Sequence, residues 1–83
     1  MTNSEVGQRL RHIRREMYLT QGEVGDRLIP RRSYAAISDM ERGKTEITVH
    51  TVFQYARLLP CSVEWLMTGV ERGEMTLRGR YEP

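Results

Sequence analysis

Helix starts and stops recur along this chain at short intervals, and that punctuation limits the fold more than any other feature. Thr20, Thr48 and Ser62 are capping hydroxyls, whereas Pro30, Gly43, Pro60 and Gly69 are breakers. Between them the apolar residues fall at helical rather than strand spacing. Val6, Leu10, Ile13 and Met17 form one stripe, with Ser4 or Asn3 as cap and Glu5 and Gln8 in the first turn. Thr20 opens a second helix, where Glu23 completes a capping box and Val24 and Leu28 form the buried edge. Pro30 disfavours helical geometry at Ile29. A third helix, around Ser33 to Glu41, carries Ile37 and Met40 inward and ends at Gly43. The fourth follows Thr48 with Val49, Val52, Phe53, Ala56 and Leu59 as its apolar set, and stops at Pro60. The fifth follows Ser62 with Val63, Leu66 and Met67, Trp65 beside them, and closes at Gly69. The expectation is an all-α fold of five short helices.

At 83 residues, the chain has room for one domain with a modest core, and none for two lobes around an active-site cleft. Residues 1–69 are expected to form that domain and residues 70–83 a C-terminal tail. Met75, Leu77 and Tyr81 alternate with polar residues there, so the segment is either a loose tail or an arm that pairs with a second subunit or packs on the helices. No apolar run exceeds a few residues, so no membrane span is expected. The polar N-terminus lacks the apolar core of a secretory signal, and the lone Cys61 has no disulfide partner; the expected compartment is the cytoplasm.

Charge is distributed unevenly. Residues 1–44 hold nine Arg and Lys against six Asp and Glu, whereas residues 45–83 hold four against five. The basic half suits an anionic partner such as a phosphate backbone, unless its cations only form a solvated face. Enzyme inventories are missing. His12 and His50 lie on different helices without a cysteine or carboxylate cluster at ligand spacing, and no glycine-rich phosphate loop follows a strand. No metal, cofactor or small-molecule ligand is expected.

Three blocks in order carry a resemblance: Leu19-Thr20-Gln21 with Glu23-Val24 and Leu28; Ile37-Ser38-Asp39-Met40-Glu41-Arg42-Gly43-Lys44; and Ser62-Val63-Glu64-Trp65-Leu66-Met67-Thr68-Gly69. Over about residues 5 to 69 the chain resembles the lambda-repressor-like, Cro/C1-type (XRE) helix-turn-helix family of phage and bacterial regulators. The resemblance implies a DNA-binding regulator of transcription, a repressor, that inserts its third helix into the major groove of a double-stranded operator. A helix in that groove, about 12 Å wide, must show small or polar residues outward. Ser33, Tyr34, Ala35, Ser38 and Asp39 meet that need. The resemblance further implies that Gln21 contacts a phosphate at the start of the second helix, that Arg42 and Lys44 lie at or near phosphates, and that Arg14 and Glu41 form a buried structural ion pair. Since one helix reads only a few base pairs, a homodimer is expected, with Trp65 and Leu66 near its interface.

The chain also departs from the family. Eight residues, Ile29 to Ala36, separate Leu28 from Ile37, more than the family usually places there; Ile29-Pro30 stands in place of the usual turn glycine, and Gly25 replaces the usual alanine. Either the turn is longer, or the third helix starts earlier with Pro30 in its first turn. In both cases Arg31 and Arg32 reach the groove entrance, suited equally to guanine or to phosphate. Asp39 can accept only from cytosine N4, and Glu46 and Ile47 stand where some relatives carry further cations. The rival reading is a protein-binding module on the same fold, such as an antitoxin or anti-repressor. It leaves the cations Arg27, Arg31, Arg32, Arg42 and Lys44 without a purpose.

Overall fold

A computed structural model of the chain describes residues 2–70, and the expected 75–81 arm lies outside that range. Side-chain caps set where each helix begins. The first, α1 (Asn3–Glu16), starts two residues earlier than a Ser4 cap, and one earlier than an Asn3 cap, would place it. Glu5 lies three residues after Thr2, so Thr2 forms the capping box: its hydroxyl accepts from the Glu5 N–H at 3.1 Å, and the Glu5 carboxylate accepts from the Thr2 N–H at 3.0 Å. Thr20 and Glu23 repeat the device at the start of α2 (Gln21–Arg27), as the sequence predicts. The Thr20 N–H, and next its hydroxyl, hold the Glu23 carboxyl below its ordinary pKa. Ser33, Thr48 and Ser62 cap α3 (Tyr34–Glu41), α4 (Val49–Leu58) and α5 (Val63–Thr68). Among the described residues there is no strand.

α1 and α2 both pack against α3, and α5 packs against α4 and α1. Their apolar faces meet in one core of Val6, Leu10, Ile13, Val24, Leu28, Ile37, Met40, Val52, Tyr55, Leu59 and Leu66. Two sequence-based expectations change here. Met17 leaves the α1 stripe because the helix ends at Glu16 and the chain turns outward. The inward face of α4 is also rotated from the one its aliphatic residues suggest. Tyr55 sits fully buried at its centre between Val52 and Leu59, while Val49 and Phe53 are more than half exposed.

Close approach of backbones fixes the crossing of α1 over α3. A Cβ at Gly7 would strike the carbonyl oxygens of Met40 and Glu41, so only glycine lets the two helices meet there. Arg9, two residues on, donates from Nε to the Leu66 carbonyl at 2.8 Å and from a terminal nitrogen to that of Met67 at 3.2 Å. These bonds satisfy end carbonyls of α5 that the helix cannot. No described helix is long and apolar enough to cross a membrane.

Candidate nucleic-acid interface

The second and third helices are joined by a longer turn, and the alternative of an early start for α3 is set aside. α3 begins at Tyr34 behind its Ser33 cap, which accepts from the Ala36 N–H at 3.1 Å. Pro30 therefore lies in the turn, joined to Ile29 by a cis peptide bond. Both ends of the turn are tied down. At its exit, the Arg32 N–H donates to the Gly25 carbonyl at 2.9 Å, and the Arg32 carbonyl rests against the Gly25 Cα so closely that a Cβ there would clash. The glycine of α2 is thus the seat of the enlarged turn. At its entrance, the side-chain amide of Gln54 on α4 meets the backbone of Ile29, accepting its N–H at 2.7 Å and donating to its carbonyl at 2.8 Å. Nothing in the spacing of residues points to Gln54 or its neighbour His50 as functional. The pairing spans 25 positions of sequence and uses a backbone as partner.

Arg31 projects from this turn with 76% of its side chain exposed, and its Nε donates to Asp26 at 2.8 Å. Solvent makes that ion pair weak in energy, yet it sets a direction for the guanidinium. With Nε–H engaged, the two terminal amino groups remain as donors, the fork that suits guanine or phosphate. A shallow depression of about 550 Å³ opens here between Gly22, Asp26, Arg31, Arg32, Ser33 and Tyr34. Tyr34 and Ala35 stand exposed on the first turn of α3, with Ser38 and Asp39 half-buried one turn later. The expected outward set is thus together on one side of the helix, opposite Ile37 and Met40, which are fully buried.

At the far end of α3 the charges partly cancel. Asp39 accepts from Arg42 at 3.1 Å, so the carboxylate's negative charge is offset by the cation expected at or near a phosphate. Lys44 is exposed beyond them, its N–H donating to the Asp39 carbonyl at 2.9 Å. Arg27 points away from this side, into a hollow with Ile29, His50, Gln54, Arg57 and Leu58.

Arg14 and Glu41 form a bidentate pair, Nε to Oε2 at 2.6 Å and a terminal nitrogen to Oε1 at 3.1 Å, with the Glu41 side chain only 1% exposed. Gln21 joins that pair, since its Nε2 donates to Glu41 Oε1 at 3.0 Å. One N–H of its amide is therefore turned inward, which leaves the second amide N–H and the backbone N–H at the start of α2 for the expected phosphate contact. Leu66, expected at a dimer interface, has no accessible surface because it fills the core between α5 and α1; it can support an interface only from beneath. Trp65 stays half-buried, its ring centroid 6.1 Å from that of His12.

Residues 10–66, which hold both short helices, the turn and the Glu41–Lys44 exit, match the helix-turn-helix family model. The chain belongs to the XRE-type helix-turn-helix family. It is 31% identical over 74 residues to the HTH-type transcriptional regulator DicA of Escherichia coli strain K12, over 89% of this chain and 53% of that protein. The chain thus spans about half the length of the relative it matches. No solved structure matches it. Membership of the helix-turn-helix family foreshadows neither the inward amide of Gln21 nor the turn held from α4.

Proposed function

We propose that this chain is a sequence-specific double-stranded-DNA-binding transcriptional regulator, acting as a repressor and binding its operator as a homodimer with α3 in the major groove. The observation that carries the reading is the outer side of α3. Small or polar side chains and the exposed Tyr34 lie along it, Arg31 and Arg32 at its entrance and Arg42 and Lys44 at its exit, on a helix whose opposite side is fully engaged in the core. Ser33, Tyr34, Ala35, Ser38 and Asp39 face the bases; Arg31 and Arg32 contact base edges or phosphates; the backbone at Gln21 approaches a phosphate. Dimerisation uses the surface around Trp65. Support also comes from membership of the family and from the DicA likeness.

Fluorescence anisotropy with promoter-region duplexes at several salt concentrations tests the reading. Affinity is expected to fall steeply, log K dropping by about 0.9 per unit log salt for each phosphate neutralised. A flat salt dependence, or no binding at low salt, refutes it. Sedimentation on and off DNA tests the dimer. A protein-binding role, as an antitoxin or anti-repressor, draws on one observation of its own: Ile29, Val49, Phe53 and Leu58 are all exposed large apolar side chains.

A further inference from the structure

The enlarged turn buries almost nothing of its own. Ile29 is 77% exposed, and Pro30 and Arg31 are exposed beside it, while Leu28 is already in the core before the turn begins. Hydrophobic burial therefore does not fix the position of residues 29–31, and ordering them carries an entropy cost. Hydrogen bonds do the fixing, and those at the entrance of the turn come from outside the helix-turn-helix pair. A carboxamide has two N–H donors and one carbonyl with two lone pairs. Gln54 uses its carbonyl on the Ile29 N–H and one N–H on the Ile29 carbonyl, so it pairs with that residue as a neighbouring strand would. Its second N–H is directed at His50 Nε2, 2.7 Å away. The Gln54 nitrogen can only donate, so His50 Nε2 is the acceptor in that contact, and it also lies 3.3 Å from the Ile29 carbonyl. With Arg32 seated on Gly25, both ends of the turn are anchored and Arg31 lies between them.

We propose that Gln54 is a positioning residue for sequence recognition: from α4, outside the DNA-facing side, its amide clamps the turn that aims Arg31, with His50 orienting the amide. The proposal rests on the DNA-binding reading above. A turn held in place before binding does not have to be ordered on the operator, and a base contact tolerates far less displacement than a phosphate contact. The clamp therefore serves selectivity more than overall grip.

The experiment selects sites from a random duplex library with wild type, Gln54→Ala, Gln54→Glu, His50→Ala and Arg31→Ala. The wild-type-selected duplex and a scrambled duplex of equal length then serve as probes. Gln54→Ala is expected to bind the selected duplex on the order of tenfold more weakly, and the scrambled one within about twofold of wild type. Its enriched sites lose preference at the positions that Arg31→Ala loses. Gln54→Glu, which keeps the shape but cannot donate to the Ile29 carbonyl, behaves like Gln54→Ala, and His50→Ala shows a smaller loss at the same positions. Amide exchange quickens at residues 29–32 while the core helices stay protected. Unchanged enriched sites in Gln54→Ala overturn the proposal. So does an equal loss on both probes accompanied by a lower melting temperature and faster exchange throughout, which is a purely structural role. A wild type that enriches no sequence at all sinks the DNA reading itself, and the clamp's role in it, and is distinct from both.

Discussion

Glu41 is the most consequential single side chain in the core. Its carboxylate is almost wholly buried and receives two hydrogen bonds from Arg14 and one from Gln21. Removing a partner strands a buried charge, so Arg14→Ala is expected to cost about 3–5 kcal/mol, a large share of the stability of a domain this small. Arg14→Met combined with Glu41→Leu leaves no orphaned charge, and should recover much of the loss in thermal melts; additive losses would count against a buried pair. Tyr55 and Cys61 raise a different issue. The Tyr55 hydroxyl is buried without a hydrogen-bond partner among the described residues, and burial, then the Glu41 charge, push its pKa up. Burial pushes the Cys61 thiol from 9.0 to about 11. Both groups stay neutral in the fold while the unfolded chain ionises them sooner. Stability is therefore unaffected below about pH 9 and declines as pH rises toward 11. Melting temperatures across that window should fall, and fall less steeply in Cys61→Ala; a flat profile contradicts the burial of these groups.

At the scale of elements, α1 ends in a Schellman motif built on an unusual residue. Tyr18 takes a φ of +58°, donating its N–H to the Arg15 carbonyl at 3.0 Å while Leu19 donates to Arg14 at 3.1 Å. A left-handed non-glycine residue costs roughly 1 kcal/mol. Tyr18→Gly is thus expected to raise stability by up to about 1 kcal/mol, a few degrees in melting temperature; a fall would show that the Tyr18 ring contributes contacts. Helix boundaries were largely legible in the sequence because caps act over three residues: Thr20, Thr48 and Ser62 lie where their hydroxyls accept. The inward face of α4 was not, because Tyr55 has a polar group yet fills the core, while the aliphatic Val49 faces out. For the candidate interface, the buried Arg14–Glu41 pair and the outward side of α3 followed from spacing and family likeness. The inward turn of Gln21 did not, since only the folded approach of α2 to Glu41 brings its amide within 3.0 Å.

For the whole molecule, the cations flanking α3 differ in their surroundings: Arg31 is paired with Asp26 and Arg42 with Asp39, whereas Lys44 is exposed beyond them. Lys44, exposed at the exit of α3, and Arg31, set by the turn, should separate grip from selectivity. Lys44→Ala is expected to weaken binding to all duplexes alike and to lower the salt slope by about one, whereas Arg31→Ala changes which sites are preferred. Binding and selection measured together distinguish them, and identical effects of the two substitutions would refute the division. The seat of Arg32 on Gly25 has a consequence for protein engineering. A recognition helix is commonly thought of as a cassette to be exchanged between relatives, but here the segment entering it is moulded to a missing side chain on α2. Grafting α3 and its turn onto a relative with alanine at the Gly25 position would bring the new Cβ against the Arg32 carbonyl. On the proposed DNA-binding reading, the smallest transplantable unit of specificity is accordingly α2, the turn and α3 moved together.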